Sequence, residues 1–239
     1  SRTTTWTSSR DTTLGMNFTG VSYYDGQAFM VASDLGVQSA KELDGAAVCT
    51  QSGTTSELNL SDYFRINNMT YDAAVFDSPE QSIAGFEAGR CDVLSSDASQ
   101  LYAQRIQLAD PNMAVVLPEI ISKEPLGPAV RQGDDQWFNI VKWSLFAMLN
   151  AEELGVSQAN VDEQLSSENP DVMRLLGQDG DFGEAMGLSS DWAYQIVKQV
   201  GNYADIYDRN VGADSDFNIA RGLNALWKDG GIQYAPPIR

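Results

Sequence analysis

The stretch AAVCTQSGTTSELNLSDYFRI, residues 46–66, decides the fold because it predicts a strand, a turn and a helix in succession. Its apolar start indicates a strand over Val48–Gln51. Residues 52–55 form a turn around a glycine, and a helix follows over Ser56–Ile66, where two asparagines stop it. A strand that leads through a short turn into a helix is the repeating unit of α/β proteins.

The same unit recurs further along the chain. Short apolar runs predict strands over Ala73–Phe76, Cys91–Ser95 and Val115–Leu117, and two more helices lie between them, one from Ser78 to Gly89 and one over Ala98–Leu108. Strands that alternate with helices form a mainly parallel sheet with helices on both faces. We therefore predict that residues 31–122 form one compact α/β lobe.

The flanking segments belong to a second, larger lobe made of residues 1–30 and 123–239. Its predicted elements include a strongly apolar helix capped by Asp134 or Asp135 and an amphipathic helix over 191–209. The predicted fold class is thus α/β, with two α/β lobes joined by a two-strand hinge near residues 28–32 and 119–125. Ligands of such folds bind in the crevice at the carboxyl ends of the strands.

Composition excludes several kinds of function. The 239 residues include 33 acidic and 15 basic side chains, which gives a net charge of −18, and there is no histidine. Such a charge repels phosphate backbones and anionic lipid. The lack of histidine excludes Ser-His-Asp and Cys-His catalysis and every histidine-ligated metal site. We expect no metal and no cofactor, and no apolar run approaches the ~20 residues that span a bilayer.

The two cysteines both lie in predicted buried strands, Cys49 in one and Cys91 in another. A bridge between them would close a loop of about 40 residues and stabilise the fold by about 3–4 kcal/mol in the loop-entropy model. The alternative is a pair of unpaired buried thiols.

Three polar clusters lie where ligands would bind. Residues 3–10 combine Arg10 with six hydroxyl side chains, a set that suits a carboxylate, although a Thr-rich terminus with a solvated arginine has the same composition. Residues 51–56 join a strand to a helix whose first amides attract anions, although the same turn serves as an ordinary helix cap. Residues 95–97 end in Asp97, which can bind an ammonium group or cap the following helix. Together the clusters match the two poles of an α-amino acid.

At these positions the chain resembles a known family, the periplasmic amino-acid-binding proteins of ABC importers, which have the type II solute-binding fold. The resemblance to the general L-amino-acid-binding subgroup is close. The motifs that carry the resemblance span most of the chain: TWTSSR (5–10), NFTGVSYYDG (17–26), QSGTTSELNL (51–60), ISKEPLGPAVRQGDDQW (121–137), GLNALW (222–227) and GGIQYAPPIR (230–239).

The resemblance implies a role for each candidate residue. Arg10 would bind the ligand α-carboxylate with help from Thr5 and the Thr55 backbone amide, and Asp97 would bind the α-ammonium group. Gln51 and Ser96 would contact or line the pocket. The resemblance also implies a disulfide between Cys49 and Cys91, inside the smaller lobe.

The chain departs from this family in one respect: family members have a segment ahead of the Thr-rich motif, and this sequence starts at the motif. We therefore expect the larger lobe to be incomplete at its N-terminus. The segment would be cleaved or truncated, supplied by another chain in a domain-swapped homodimer, or replaced by a rearrangement of the lobe.

The resemblance implies a non-enzymatic protein of the periplasm that binds L-amino acids in the interlobe cleft and delivers them to an ABC permease. No nucleophile–base pair is visible in the sequence, which agrees with binding rather than catalysis. Two alternatives are a truncated or domain-swapped interaction module with little ligand affinity and a carboxylate-based lyase like cyclohexadienyl dehydratase. The lyase would need a carboxyl group with a raised pKa, for which Asp97 and Glu119 are candidates.

Overall fold

The computed structural model describes residues 4–239, so Thr3, a member of the first polar cluster, lies outside the described residues. Two compact units are present. The first comprises the residues up to Tyr23 together with Leu126–Arg239, and the second comprises Tyr24–Pro125. The predicted boundaries of the smaller lobe, residues 31 and 122, both lie within the second unit, which therefore extends further at each end. The first boundary differs because Gln27–Ala32, whose residues up to Met30 were assigned to the larger lobe, is a single strand in the sheet of the second unit.

The strands of the described residues are short. In chain order they are β1 (Thr4–Thr5), β2 (Met16–Phe18), β3 (Tyr23–Asp25), β4 (Gln27–Ala32), β5 (Ala46–Gln51), β6 (Tyr71–Phe76), β7 (Val93–Asp97), β8 (Ala114–Val116), β9 (Glu124–Gly127) and β10 (Ala129–Arg131).

The α-helices of the same residues vary more in length. They are α1 (Ser8–Thr12), α2 (Thr55–Ile66), α3 (Pro79–Glu87), α4 (Ala98–Arg105), α5 (Asp135–Glu153), α6 (Val161–Gln164), α7 (Pro170–Leu175), α8 (Trp192–Val200) and α9 (Tyr203–Asn210).

Short polar side chains begin the main helices, as the sequence predicts. Thr54 caps α2, Ser78 caps α3 and Asp134 caps α5, each by accepting a hydrogen bond from the backbone amide three residues later. These bonds satisfy amides that have no partner within the helix. The choice between Asp134 and Asp135 is thereby settled in favour of Asp134.

The sheet of the second unit has the strand order β6-β5-β7-β4-β8. β5 runs parallel to both β6 and β7, whereas β4 runs antiparallel to β7 and β8. The prediction of a mainly parallel sheet was correct, because the four predicted strands, β5 to β8, run in the same direction. The sequence did not predict that β4 joins this sheet, where it lies between β7 and β8 and runs antiparallel to both.

Successive residues of the central strands point to opposite faces of this sheet, as the pleat requires. Met30, Cys49 and Leu94 pack under α3 and α4, in a core that includes Phe86 and Leu101. Phe29, Val48 and Val93 pack under α2, in a core that includes Leu60 and Phe64. Both faces are thus covered by helices, which is why consecutive residues in the middle of these strands are apolar.

The first unit is built around α5. The second half of this helix buries Leu145, Ala147, Leu149 and Ala151 in the cores that it shares with α7, α8 and α9. The single helix predicted over 191–209 was wrong, because α8 ends at Val200 and α9 begins at Tyr203. Gly201 has φ 91°, and a Cβ there would lie 2.5 Å from the Asp205 Cβ. Asn202 then starts α9 with a reciprocal capping box to Asp205.

Candidate functional site

In the first unit, Thr5 and Arg10 are held together. Thr5 is buried in β1, where it pairs with Leu126 of β9, and Arg10 lies on α1, which Thr7 caps. The Arg10 Nη1 donates a 2.9 Å hydrogen bond to the Thr5 carbonyl oxygen. Within residues 4–239 no acidic side chain forms an ion pair with Arg10. The guanidinium is therefore oriented by a neutral carbonyl oxygen.

In the second unit, the turn after β5 is closed by reciprocal bonds. The Thr54 hydroxyl donates to the Gln51 carbonyl at 2.8 Å and accepts from the Glu57 amide at 3.3 Å. The Glu57 carboxylate in return accepts a 2.8 Å bond from the Gly53 amide. The turn thus does act as a helix cap, through Thr54, and Thr55 is the first residue of α2. The Gln51 Nε2 lies 3.5 Å from the Asp77 carbonyl oxygen, at the outer limit for a hydrogen bond.

The third cluster lies inside a strand rather than after it, because β7 runs two residues further than predicted. Ser96 and Asp97 are therefore its last two residues, and both are half-buried. Asp97 occupies the N-cap position of α4, but its side chain makes no capping hydrogen bond. Capping is done instead by Asp25, whose Oδ2 accepts bonds from the Ser99 amide at 3.3 Å and the Ser99 hydroxyl at 2.5 Å.

Burial raises the pKa of Asp25 above its ordinary value, despite the hydrogen bonds from Ser99 and Gly26 that favour the charged form. Glu119 behaves in the opposite way. Its Oε1 accepts a 2.5 Å bond from the Ser39 hydroxyl, and this bond lowers the pKa of Glu119. The nomination of Glu119 as a carboxyl group with a raised pKa was therefore wrong.

Gln51 and the Ser96–Asp97 pair lie at the same edge of the sheet, because β5 and β7 are neighbouring parallel strands. Gln27 joins the two clusters. It is fully buried at the start of β4, and its Nε2 donates to the Ser56 carbonyl oxygen at 2.9 Å and to the Ser95 hydroxyl at 2.8 Å. We missed Gln27 in the sequence, where the only signal is a polar residue directly before an apolar run.

Glu124 was also missed. It is 1% exposed, at the start of β9, and it accepts hydrogen bonds from Thr55, Asn59 and Ser122. Its signal was its place within the long motif over 121–137. The six predicted residues thus fall into two sets: Thr5 and Arg10 in the first unit, and Gln51, Thr55, Ser96 and Asp97 in the second.

The predicted disulfide is confirmed. Cys49 of β5 and Cys91, just before β7, are bonded with a Cα–Cα distance of 5.7 Å, and both are buried. The bond excludes the alternative of two unpaired buried thiols.

Two negative findings concern residues 4–239 only. No helix there combines the length and hydropathy needed to cross a bilayer. No three or more acidic or cysteine side chains in that range are grouped so that they could hold a metal ion.

Comparison with known proteins gives strong similarities, although no protein-family model matches the chain. It is 59% identical over 241 residues to the general L-amino acid-binding periplasmic protein AapJ of Rhizobium johnstonii, covering 100% of this chain and 71% of that protein. It is 50% identical over 239 residues to the glutamate/glutamine/aspartate/asparagine-binding protein BztA of Rhodobacter capsulatus, with coverage of 100% and 71%.

One solved structure is similar over nearly the whole chain. It is an ABC transporter / periplasmic binding protein from Brucella ovis with glutathione bound, with a TM-score of 0.97 and 53% sequence identity. The similarity covers 99% of this chain and 75% of that one.

Proposed function

The chain belongs to the family of amino-acid-binding proteins of ABC transporters, and we propose that it binds L-amino acids in the periplasm and delivers them to an ABC permease. One observation carries the proposal. Arg10 is fixed by the Thr5 carbonyl oxygen and has no acidic partner within residues 4–239, so its charge is available to a ligand carboxylate.

The roles of the individual residues follow from their chemistry. Arg10 offers a planar fork of donors to the α-carboxylate, and Thr5 and the Thr55 amide add neutral donors. Asp97 is the negatively charged group for the α-ammonium, and its side chain is not used to cap α4. Gln51 and Ser96 contribute polar contacts near it.

We propose that the ligand range includes glutathione. The Brucella ovis relative is described with glutathione bound. The γ-glutamyl end of glutathione carries a free α-ammonium and a free α-carboxylate, so it presents the same two poles as a single amino acid. The site would then recognise the α-ammonium and α-carboxylate groups and discriminate little between the side chains of its ligands.

We propose that the chain holds its ligand without converting it. The lyase alternative needs a carboxyl group with a raised pKa that is available to a substrate. Asp25 has a raised pKa, but its oxygens accept hydrogen bonds from Gly26 and Ser99. The domain-swapped interaction module stays a prediction, which light scattering tests.

Isothermal titration of the chain tests the function. The ligands are L-glutamate, L-glutamine, L-aspartate, L-asparagine, a basic and an apolar L-amino acid, and glutathione, with D-glutamine as the stereochemical control. We expect binding of several L-amino acids and no binding of D-glutamine. Heat from none of these ligands would contradict the proposal.

The role of Arg10 is tested with Arg10→Lys. Because lysine cannot form the two-pronged bond to a carboxylate, the Kd should rise at least about tenfold, the equivalent of 1.4 kcal/mol. Arg131→Lys, an exposed position on β10 in the same unit, is the matched control and should bind as the unchanged chain does.

A further inference from the structure

Glu124 is a buried carboxylate held by neutral hydrogen-bond donors. Its Oε1 accepts hydrogen bonds from the Asn59 Nδ2 and the Ser122 hydroxyl, both at 2.9 Å, and its Oε2 accepts one from the Thr55 hydroxyl at 3.1 Å. No lysine or arginine of the described residues forms an ion pair with it. A buried polar group of this kind is tolerated only when its oxygens are well hydrogen-bonded, so the three donors are essential to it.

Two of these donors lie on one helix. Thr55 and Asn59 are four residues apart, so they occupy the same face of α2, one above the other. Glu124 therefore holds the start of α2 at two points, Thr55 in the first turn and Asn59 at the beginning of the second. Contact at two points resists both rotation about the helix axis and fraying of the turn.

Gln27 holds the same turn through its backbone. The Ser56 carbonyl oxygen can only accept, so the amide of Gln27 must direct its Nε2 towards that carbonyl, as it does at 2.9 Å. The buried Gln27 Oε1 has no hydrogen-bond partner among residues 4–239. A buried acceptor without a partner costs free energy. The orientation of the Gln27 side-chain amide is therefore determined by the two bonds that its Nε2 donates, one to Ser56 of α2 and one to Ser95 of β7.

We propose that Glu124 is a positioning residue of the amino-acid site: it holds the first turn of α2 so that the Thr55 amide meets the ligand α-carboxylate. This inference rests on the proposed function. Glu124 does not touch the ligand. It acts through Thr55 and Asn59, while Gln27 ties the same turn to the end of β7, where Ser96 and Asp97 lie.

The test compares two ligands that differ only at the carboxylate pole, L-glutamine and L-glutamine α-amide. The chain should bind L-glutamine more tightly than the amide. Glu124→Met leaves all three donors without their acceptor, so the ratio of the two Kd values should fall by about tenfold. Glu124→Gln retains one acceptor oxygen and should restore part of the ratio.

The control is Glu87→Met, the same change at an exposed glutamate of the second unit that accepts a bond from the Ala109 amide. Its ratio should equal that of the unchanged chain. Asn59→Leu, which removes one contact from the helix side, should lower the ratio less than Glu124→Met does. It also keeps the test decisive if Glu124→Met does not fold in urea-unfolding measurements.

The outcomes separate the two proposals. If the role of Glu124 is purely structural, Glu124→Met weakens the binding of both ligands equally and leaves the ratio of their Kd values unchanged. That result overturns the positioning role, while the proposed function stands. Failure of the unchanged chain to bind L-glutamine or any other ligand of the panel overturns the proposed function, and the positioning role with it.

Discussion

The Gln27 Nε2 lies 2.8 Å from the Ser95 hydroxyl, although 68 residues separate the two in the chain. The Ser95 hydroxyl in turn donates to the Ala28 carbonyl oxygen at 3.0 Å. This buried chain of bonds joins β4 to β7, and through Ser56 it also joins α2. The two polar clusters of the second unit are therefore tied together by a residue that belongs to neither.

Replacing Gln27 tests whether this link matters for binding. In Gln27→Leu the two bonds from Nε2 are lost, but the unpartnered Oε1 is removed with them. We therefore expect the free energy of unfolding to fall by no more than about 1 kcal/mol. Binding of L-glutamine should weaken by about tenfold because the bonds that fix the position of α2 relative to β7 are lost. Urea unfolding and titration calorimetry measure the two effects.

Gln104→Leu is the matched control for this change. Gln104 is also buried, also has an unpartnered Oε1, and donates to the Pro79 carbonyl oxygen at 3.2 Å, outside the polar clusters. It should lose comparable stability and keep full affinity. Equal losses of affinity in the two variants would refute the special role of Gln27.

Asp25 should make stability depend on acid pH. Burial raises the pKa of Asp25 above its ordinary value of 3.8, so the folded chain binds this proton more tightly than the unfolded chain. The free energy of unfolding, relative to that of Asp25→Asn, should therefore rise as the pH falls through the raised pKa towards 3.8. It should be level at neutral pH. Urea unfolding at a series of pH values gives this difference.

Asp44→Asn provides a control of opposite sign. The amide and hydroxyl of Thr70 donate to the exposed Asp44 and lower its pKa below 3.8. Relative to that variant, the unchanged chain should lose stability as the pH falls below 3.8. Curves of the same sign for the two variants would show that general acid denaturation, rather than Asp25, determines the slope.

Reduction of the disulfide should destabilise the second unit. The bond joins residues 42 apart, and closing a loop of that size removes unfolded-state entropy worth about 4 kcal/mol. Urea unfolding with and without reductant measures the loss, and intact mass confirms reduction. The double variant Cys49→Ala/Cys91→Ala should be insensitive to reductant. A stability unchanged by complete reduction would contradict the expectation.

Much of the fold could be predicted because its signals are local. The strand–turn–helix unit over 46–66, the caps at Ser78 and Asp134 and the cover of helices on both sheet faces all follow from periodicity and capping preferences. The structural similarity at a TM-score of 0.97 confirms the predicted fold class. The roles of the six candidate residues remain predictions.

Other features could not be read from local pattern. An apolar strand such as β4 is equally suited to either lobe, so only its pairing with β7 and β8 assigns it. The break between α8 and α9 lies at Gly201, which has a positive φ and where Asp205 leaves no room for a Cβ. An amphipathic pattern across 191–209 does not reveal this constraint.

The sequence by itself determined the strand–turn–helix units of the second unit and the positions of the two pairable cysteines, because these depend on residue type and on spacing along the chain. The tertiary structure alone decided which buried polar groups contact the start of α2. Gln27 and Glu124 contact α2 from 29 and 69 residues away, and a hydrogen bond over such a separation exists only once the strands and helices have packed.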